Sequence, residues 1–145
     1  MKKSLISLIL LCVVLGMRAQ DLRFKDGKFK IVQFTDLHYK LGNPASKQAT
    51  DCMYEVVKAE NPDLIVLTGD VIYAKPGDAC LQQILNVLTD LKRPFCYLLG
   101  NHDPEQGIAV GKLYDQAAQN SFCVQPKRDG NVLDYAVPIK SGDGA

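Results

Sequence analysis

The chain has 145 residues, 47% of them hydrophobic and 23% charged, with a formal net charge of +1. That is enough apolar material for one domain with a core, and it excludes a highly polar disordered segment. Charges of both signs are interspersed, so there is no basic arm or patch for nucleic acid, and there is no internal repeat or low-complexity tract.

The first twenty residues read as a signal peptide. Lys2 and Lys3 precede an apolar stretch from Leu5 to Gly16, and Ala19 supplies a small residue near its end. An apolar run of this length suits an export signal, whereas a membrane span needs ~20 apolar residues. The expectation is cleavage after Ala19 or Gln20, a periplasmic or secreted product, and no stable membrane anchor. Lys2, Lys3 and Arg18 depart with the leader, and the slight positive balance turns slightly negative. Cys52, Cys80, Cys96 and Cys123 remain, none at a zinc-finger spacing. An exported chain with four cysteines allows a disulfide. Inert thiols are the preferred expectation, with Cys96 buried in an apolar run.

Three short apolar runs follow, each ending in polar turn residues. Ile31 to Phe34 leads to Thr35-Asp36, Leu64 to Leu67 to Thr68-Gly69-Asp70, and Phe95 to Leu99 to Gly100-Asn101. Such runs predict strands buried on both faces. Between the first two, Cys52, Met53, Val56 and Val57 recur at helical spacing, and Asn61-Pro62 stops the helix. Between the second and third, Leu81, Ile84, Leu85, Leu88 and Leu91 form a core-facing helical stripe. Val110 to Asn120 predicts another helix, and Val132 to Ile139 a last extended stretch. Strand and helix in alternation predict an α/β fold with a parallel sheet and crossover helices. In such sheets binding residues gather beyond the carboxyl ends of the strands.

That is where the chemistry-bearing residues fall. In Asp36-Leu37-His38, positions i and i+2 of an extended segment share a side, so a carboxylate and an imidazole can meet one ion at ~2.0–2.2 Å. Gly69-Asp70 sets two carboxylate oxygens beside a tight turn. Gly100-Asn101-His102-Asp103 delivers an amide oxygen, an imidazole and a carboxylate in succession. Singly, each is as readily a turn, a helix cap or a hydrogen-bonded structural histidine. Together they are specific: thirty residues separate His38 from Gly69, and twenty-nine separate Asp70 from Gly100. Each interval is about one helix plus one strand.

D-x-H, G-D and G-N-H-D at these intervals resemble the calcineurin-like metallophosphoesterase family, from about Lys28 to Ile139. The resemblance implies the N-terminal half of a four-layer α/β/β/α sandwich. It also implies a pair of divalent or trivalent metals, iron, manganese, zinc or cobalt. Carried over by position, Asp36 and His38 hold the first metal, Asp70 bridges both and Asn101 holds the second. His102 acts beside the metals on the phosphoryl oxygens or the leaving group, and Asp103 has an orienting role. The implied reaction is hydrolysis of a phosphate ester by a bridging hydroxide, without a covalent intermediate. A phosphorylated small molecule or a nucleotide is the implied substrate. The run Gly69 to Tyr73 is similar to the G-D-x-x-Y of purple acid phosphatases, whose tyrosine binds ferric iron. Because His38 is present here, Tyr73 is expected to be structural or to line the cleft instead.

The two histidines of the chain are both used by these motifs. The family pattern calls for further histidines in a later G-H region and a final G-H-x-H. The expectation is a domain truncated at residue 145 and inactive alone. The alternative is a non-catalytic relative that binds metal or phosphate.

Overall fold

A computed structural model describes residues 21–142. The expected signal peptide, residues 1–20, lies outside the described residues. Among them the chain runs β1 (Ile31–Phe34), α1 (Pro44–Glu60), β2 (Leu64–Thr68), α2 (Gly77–Leu91), β3 (Phe95–Leu98) and α3 (Val110–Ala118). A single 3-10 turn at Asp103–Gln106 precedes α3. The strands form a parallel sheet in the order β1-β2-β3, with Ile31 opposite Leu64 and Ile65 opposite Phe95. This is the predicted α/β class, consistent with the N-terminal part of the metallophosphoesterase fold.

Local chemistry explains where the helices begin and end. The Asn43 side chain accepts the Ala45 N–H at 2.9 Å and Pro44 opens α1, so one orphan amide is capped and the proline loses no bond. Asn61 ends α1 in the left-handed region, its N–H returning to the Val57 carbonyl. Within α1, Met53 and Val57 are buried one turn apart, while Cys52 points outward, contrary to its placement on the predicted apolar face. The α2 stripe behaves as expected: Leu81, Ile84, Leu85 and Leu88 are all buried.

A sheet that grows in one direction with crossovers of one hand carries its connecting helices on one face. Accordingly one core cluster joins α1, α2 and α3 to Ile65, Leu67, Phe95 and Tyr97. The other face is covered by chain without helix: Leu64 and Cys96 pack with Leu22, Phe29, Val124, Tyr135, Val137 and Ile139. The stretch from Val132 to Ile139 alternates in burial as a strand would. It forms no ladder, however, and only Lys140 bridges Arg23. Burial on both faces therefore holds for β2 but not for β1, an edge strand whose Ile31 is 51% exposed. Cys52, Cys80, Cys96 and Cys123 are all free thiols. Burial raises the Cys96 thiol and pushes Cys123 up to about 12, so both are inert. No helix among the described residues is long and apolar enough to cross a membrane.

Candidate metal centre

Three connections at the carboxyl end of the sheet build the site. Parallel pairing continues past the strands: Asp36 N–H donates to the Gly69 carbonyl, His38 N–H to Asp70, and Tyr39 N–H to Val71. The segments carrying D-x-H and G-D therefore stay side by side. The G-N-H-D turn is pressed against them, since a Cβ on Gly69 would lie 2.7 Å from the Gly100 Cα. A Cβ on Gly100 would collide with the Asp70 carboxylate and amide. Only two glycines allow backbones to approach this closely.

Asp103 fastens the G-D segment to the G-N-H-D turn from beneath. It is fully buried, and one carboxylate oxygen accepts the Asp70 N–H at 3.0 Å and the Gly100 N–H at 2.7 Å. The other accepts the Ile72 N–H at 3.0 Å. It faces the backbone of these loops. The Tyr97 phenol lies below, pushed far above its ordinary value by burial first and then by the Asp103 and Asp70 carboxylates.

On the open side, nitrogen or oxygen atoms of His38, Asp70 and His102 all lie within 4.8 Å of one another. His38 Nε2 is 3.8 Å from Asp70 Oδ2 and 3.9 Å from Asp36 Oδ1, and this buried nitrogen has no hydrogen-bond partner. An imidazole nitrogen stranded between two carboxylates fits a cation between them better than it fits a hydrogen-bonded core. Donors at ~2.1 Å from one ion lie at most ~4.2 Å apart, so the observed spacing closes with small side-chain movements. Oxygen and imidazole donors without a thiol suit hard or borderline metals. Asp70 Oδ1 accepts the His102 N–H at 2.8 Å, which leaves Oδ2 directed at His38.

The way Asp36 and His38 converge departs from expectation. They do not alternate along an extended segment: Asp36 has φ 53° and His38 φ 45°, and Asp70 has φ 51°. Left-handed backbone at residues with side chains is strained, and it persists where surrounding bonds hold it and the site uses it. Asp36, 58% exposed at its side chain, takes the Thr35 hydroxyl at 2.6 Å. Asn101 is exposed on the turn before His102. The structure thus gathers His38, Asp70 and His102, sets Asp36 beside them and places Asp103 under them.

Two neighbours complete the picture. The Tyr73 ring sits 4.8 Å from His38 and 4.7 Å from His102, with Lys40 Nζ 4.7 Å over its face. It packs against both histidine rings. Glu105 was not anticipated. Its carboxylate lies 2.8 Å from His102 Nδ1 and, by that bond chiefly, holds the imidazole above its ordinary value, with Asp70 and Asp103 adding and partial burial opposing. The only trace of it in the sequence is an acid three residues after a histidine, a spacing that meets on one helical turn.

The comparisons with known proteins give the family of the chain. The family model for calcineurin-like phosphoesterase matches residues 29–142. The chain is 32% identical over 134 residues to "Probable inactive purple acid phosphatase 29" of Arabidopsis thaliana, covering 72% of this chain and 34% of the relative. It is 36% identical over 84 residues to a "Probable cyclic nucleotide phosphodiesterase" of Moraxella catarrhalis, covering 57% of this chain and 30% of that one. With an "Uncharacterized metallophosphoesterase" of Campylobacter jejuni the identity is 35% over 110 residues, covering 74% and 28%. The chain belongs to the calcineurin-like phosphoesterase family. It spans about a third of the length of these relatives.

Proposed function

We propose that this chain carries the front part of a phosphate-ester hydrolase site built on two metal ions. The observation behind this reading is the convergence of His38, Asp70 and His102 beyond three parallel strands, with His38 Nε2 buried and unpartnered. Asp36 and His38 would hold one ion, Asp70 would lie between the two, and Asn101 would hold the second. Iron, manganese, zinc and cobalt all accept this donor set. When bound, such ions supply Lewis acidity that neutralises phosphate oxygens and acidifies water. His102 keeps Nε2 for the substrate, where it steadies a phosphoryl oxygen or hands a proton to the departing alcohol. Asp103 holds the loops that carry these groups, and Tyr73 walls the cleft.

The name of the Moraxella relative favours a phosphorylated small molecule or nucleotide as substrate. The reading includes further donors from outside these 145 residues, little activity by this stretch alone, and export by the leader at residues 1–20. The test is metal-dependent hydrolysis of chromogenic phosphate mono- and diesters by the complete protein, lost in Asp70→Asn. Full activity in that variant would refute the bridging role. A non-catalytic binding relative is the second reading, favoured by the word "inactive" in the name of the Arabidopsis relative. Bound metal without hydrolysis of either ester would decide for it.

A further inference from the structure

We infer that Glu105 is a positioning residue for His102, holding the ring so that Nδ1 keeps its proton and Nε2 faces the site. This rests on the proposed hydrolase reading for its effect on turnover, and on geometry alone for the pairing. Glu105 Oε2 lies 2.8 Å from His102 Nδ1. A carboxylate only accepts there, so the proton of the neutral ring belongs on Nδ1. Free imidazole side chains in water favour the opposite tautomer, with the proton on Nε2. Glu105 therefore reverses an intrinsic preference and leaves Nε2 as the nitrogen that takes up a proton on the cluster side and gives it back.

The turn is built to keep this contact. Glu105 N–H donates to the His102 carbonyl at 3.1 Å, and the Gln106 side chain donates to the same carbonyl at 2.8 Å. Two bonds thus fix the His102 backbone while the Glu105 carboxylate fixes the ring. The Tyr73 ring meets the imidazole edge-on, with planes at 88°, and limits its swing on the other side. Glu105 itself is 59% exposed at its side chain, so its replacement leaves the core untouched.

The tautomer can be read directly from the nitrogen shifts of 15N-histidine-labelled complete protein, metal-free and at alkaline pH, with His38→Gln to separate the two rings. Wild type and Glu105→Gln, which keeps an acceptor oxygen, are expected to show the proton on Nδ1. Glu105→Ala is expected to move it towards Nε2. In the metal-loaded protein, Glu105→Ala should lower kcat by about 10- to 100-fold with KM little changed, and Glu105→Gln should restore most of the loss. An Nδ1 proton that persists in Glu105→Ala overturns the inference, as does an unchanged kcat or a loss carried by KM. A wild-type protein that hydrolyses no phosphate ester overturns the hydrolase reading instead, and the nitrogen shifts still decide the pairing.

Discussion

Replacing Asp103 by asparagine exchanges one carboxylate oxygen for an NH2 group and should damage both the fold and the site. The carboxylate is fully buried and receives three backbone N–H groups, two on one oxygen and one on the other. An amide has one acceptor oxygen. Its best orientation keeps the Asp70 and Gly100 donors and turns the NH2 group towards the Ile72 N–H, donor against donor. The stranded buried amide costs about 1–3 kcal/mol, and weakening two charge-assisted bonds to neutral ones adds roughly 1 kcal/mol. The sum, about 2–4 kcal/mol, corresponds to a fall in Tm of roughly 8–16 °C for a domain of this size. Asp103→Ala strands all three donors and should be worse. Thermal and urea unfolding followed by circular dichroism measure both variants against wild type. A Tm for Asp103→Asn within about 2 °C of wild type would refute the bracing role, because one buried unmet donor alone exceeds that. So would an alanine variant more stable than the asparagine one.

Other outcomes test other parts of the structure. Gly100→Ala places a methyl group against the Asp70 carboxylate and amide; it should weaken metal binding while leaving most of the helix content, and calorimetric titration with unchanged affinity would contradict the close approach. Iodoacetamide should label Cys52 in the native protein and reach Cys80 and Cys96 only after denaturation; native labelling of the half-buried Cys123 as fast as Cys52 would contradict a thiol pushed up to about 12. Asp63 is held below the usual carboxylate range by Lys25, at 2.7 Å, and by the Lys30 N–H. Its contribution is present above the unfolded value of about 3.9 and is lost as pH falls through the lower folded value. The gap in urea midpoint between wild type and Asp63→Asn should therefore be full near neutral pH and close in acid. A gap independent of pH would exclude the charge as its source.

Much of this could be seen without coordinates because the site is assembled from short runs at strand ends. Apolar stretches of four or five residues and the α2 stripe locate the sheet and its crossovers, and each crossover returns the chain to the same edge. Cys52 shows the limit: four apolar residues within six positions cannot all face one core, and burial selects Met53 and Val57. The stretch from Val132 to Ile139 shows another. Its alternation is real, but whether such a segment joins a ladder depends on a neighbour's free edge.

The D-x-H, G-D and G-N-H-D motifs were thus legible in the sequence, because ligand identity and spacing are local properties of a repeated strand and helix. What the amino acids alone supplied is a set of candidate groups, Asp36, His38, Asp70, Asn101 and His102, of which the structure gathers His38, Asp70 and His102 with Asp36 beside them. The tertiary structure decided how they are held. Left-handed backbone at Asp36, His38 and Asp70, the apposition of Gly69 and Gly100 and the Asp103 brace on Asp70 and Ile72 come from segments brought together across the sheet, while the Glu105 contact to His102 is made within the turn after β3. Strained conformations and buried charges are unfavourable one residue at a time, and they persist here because bonds from two other loops compensate them.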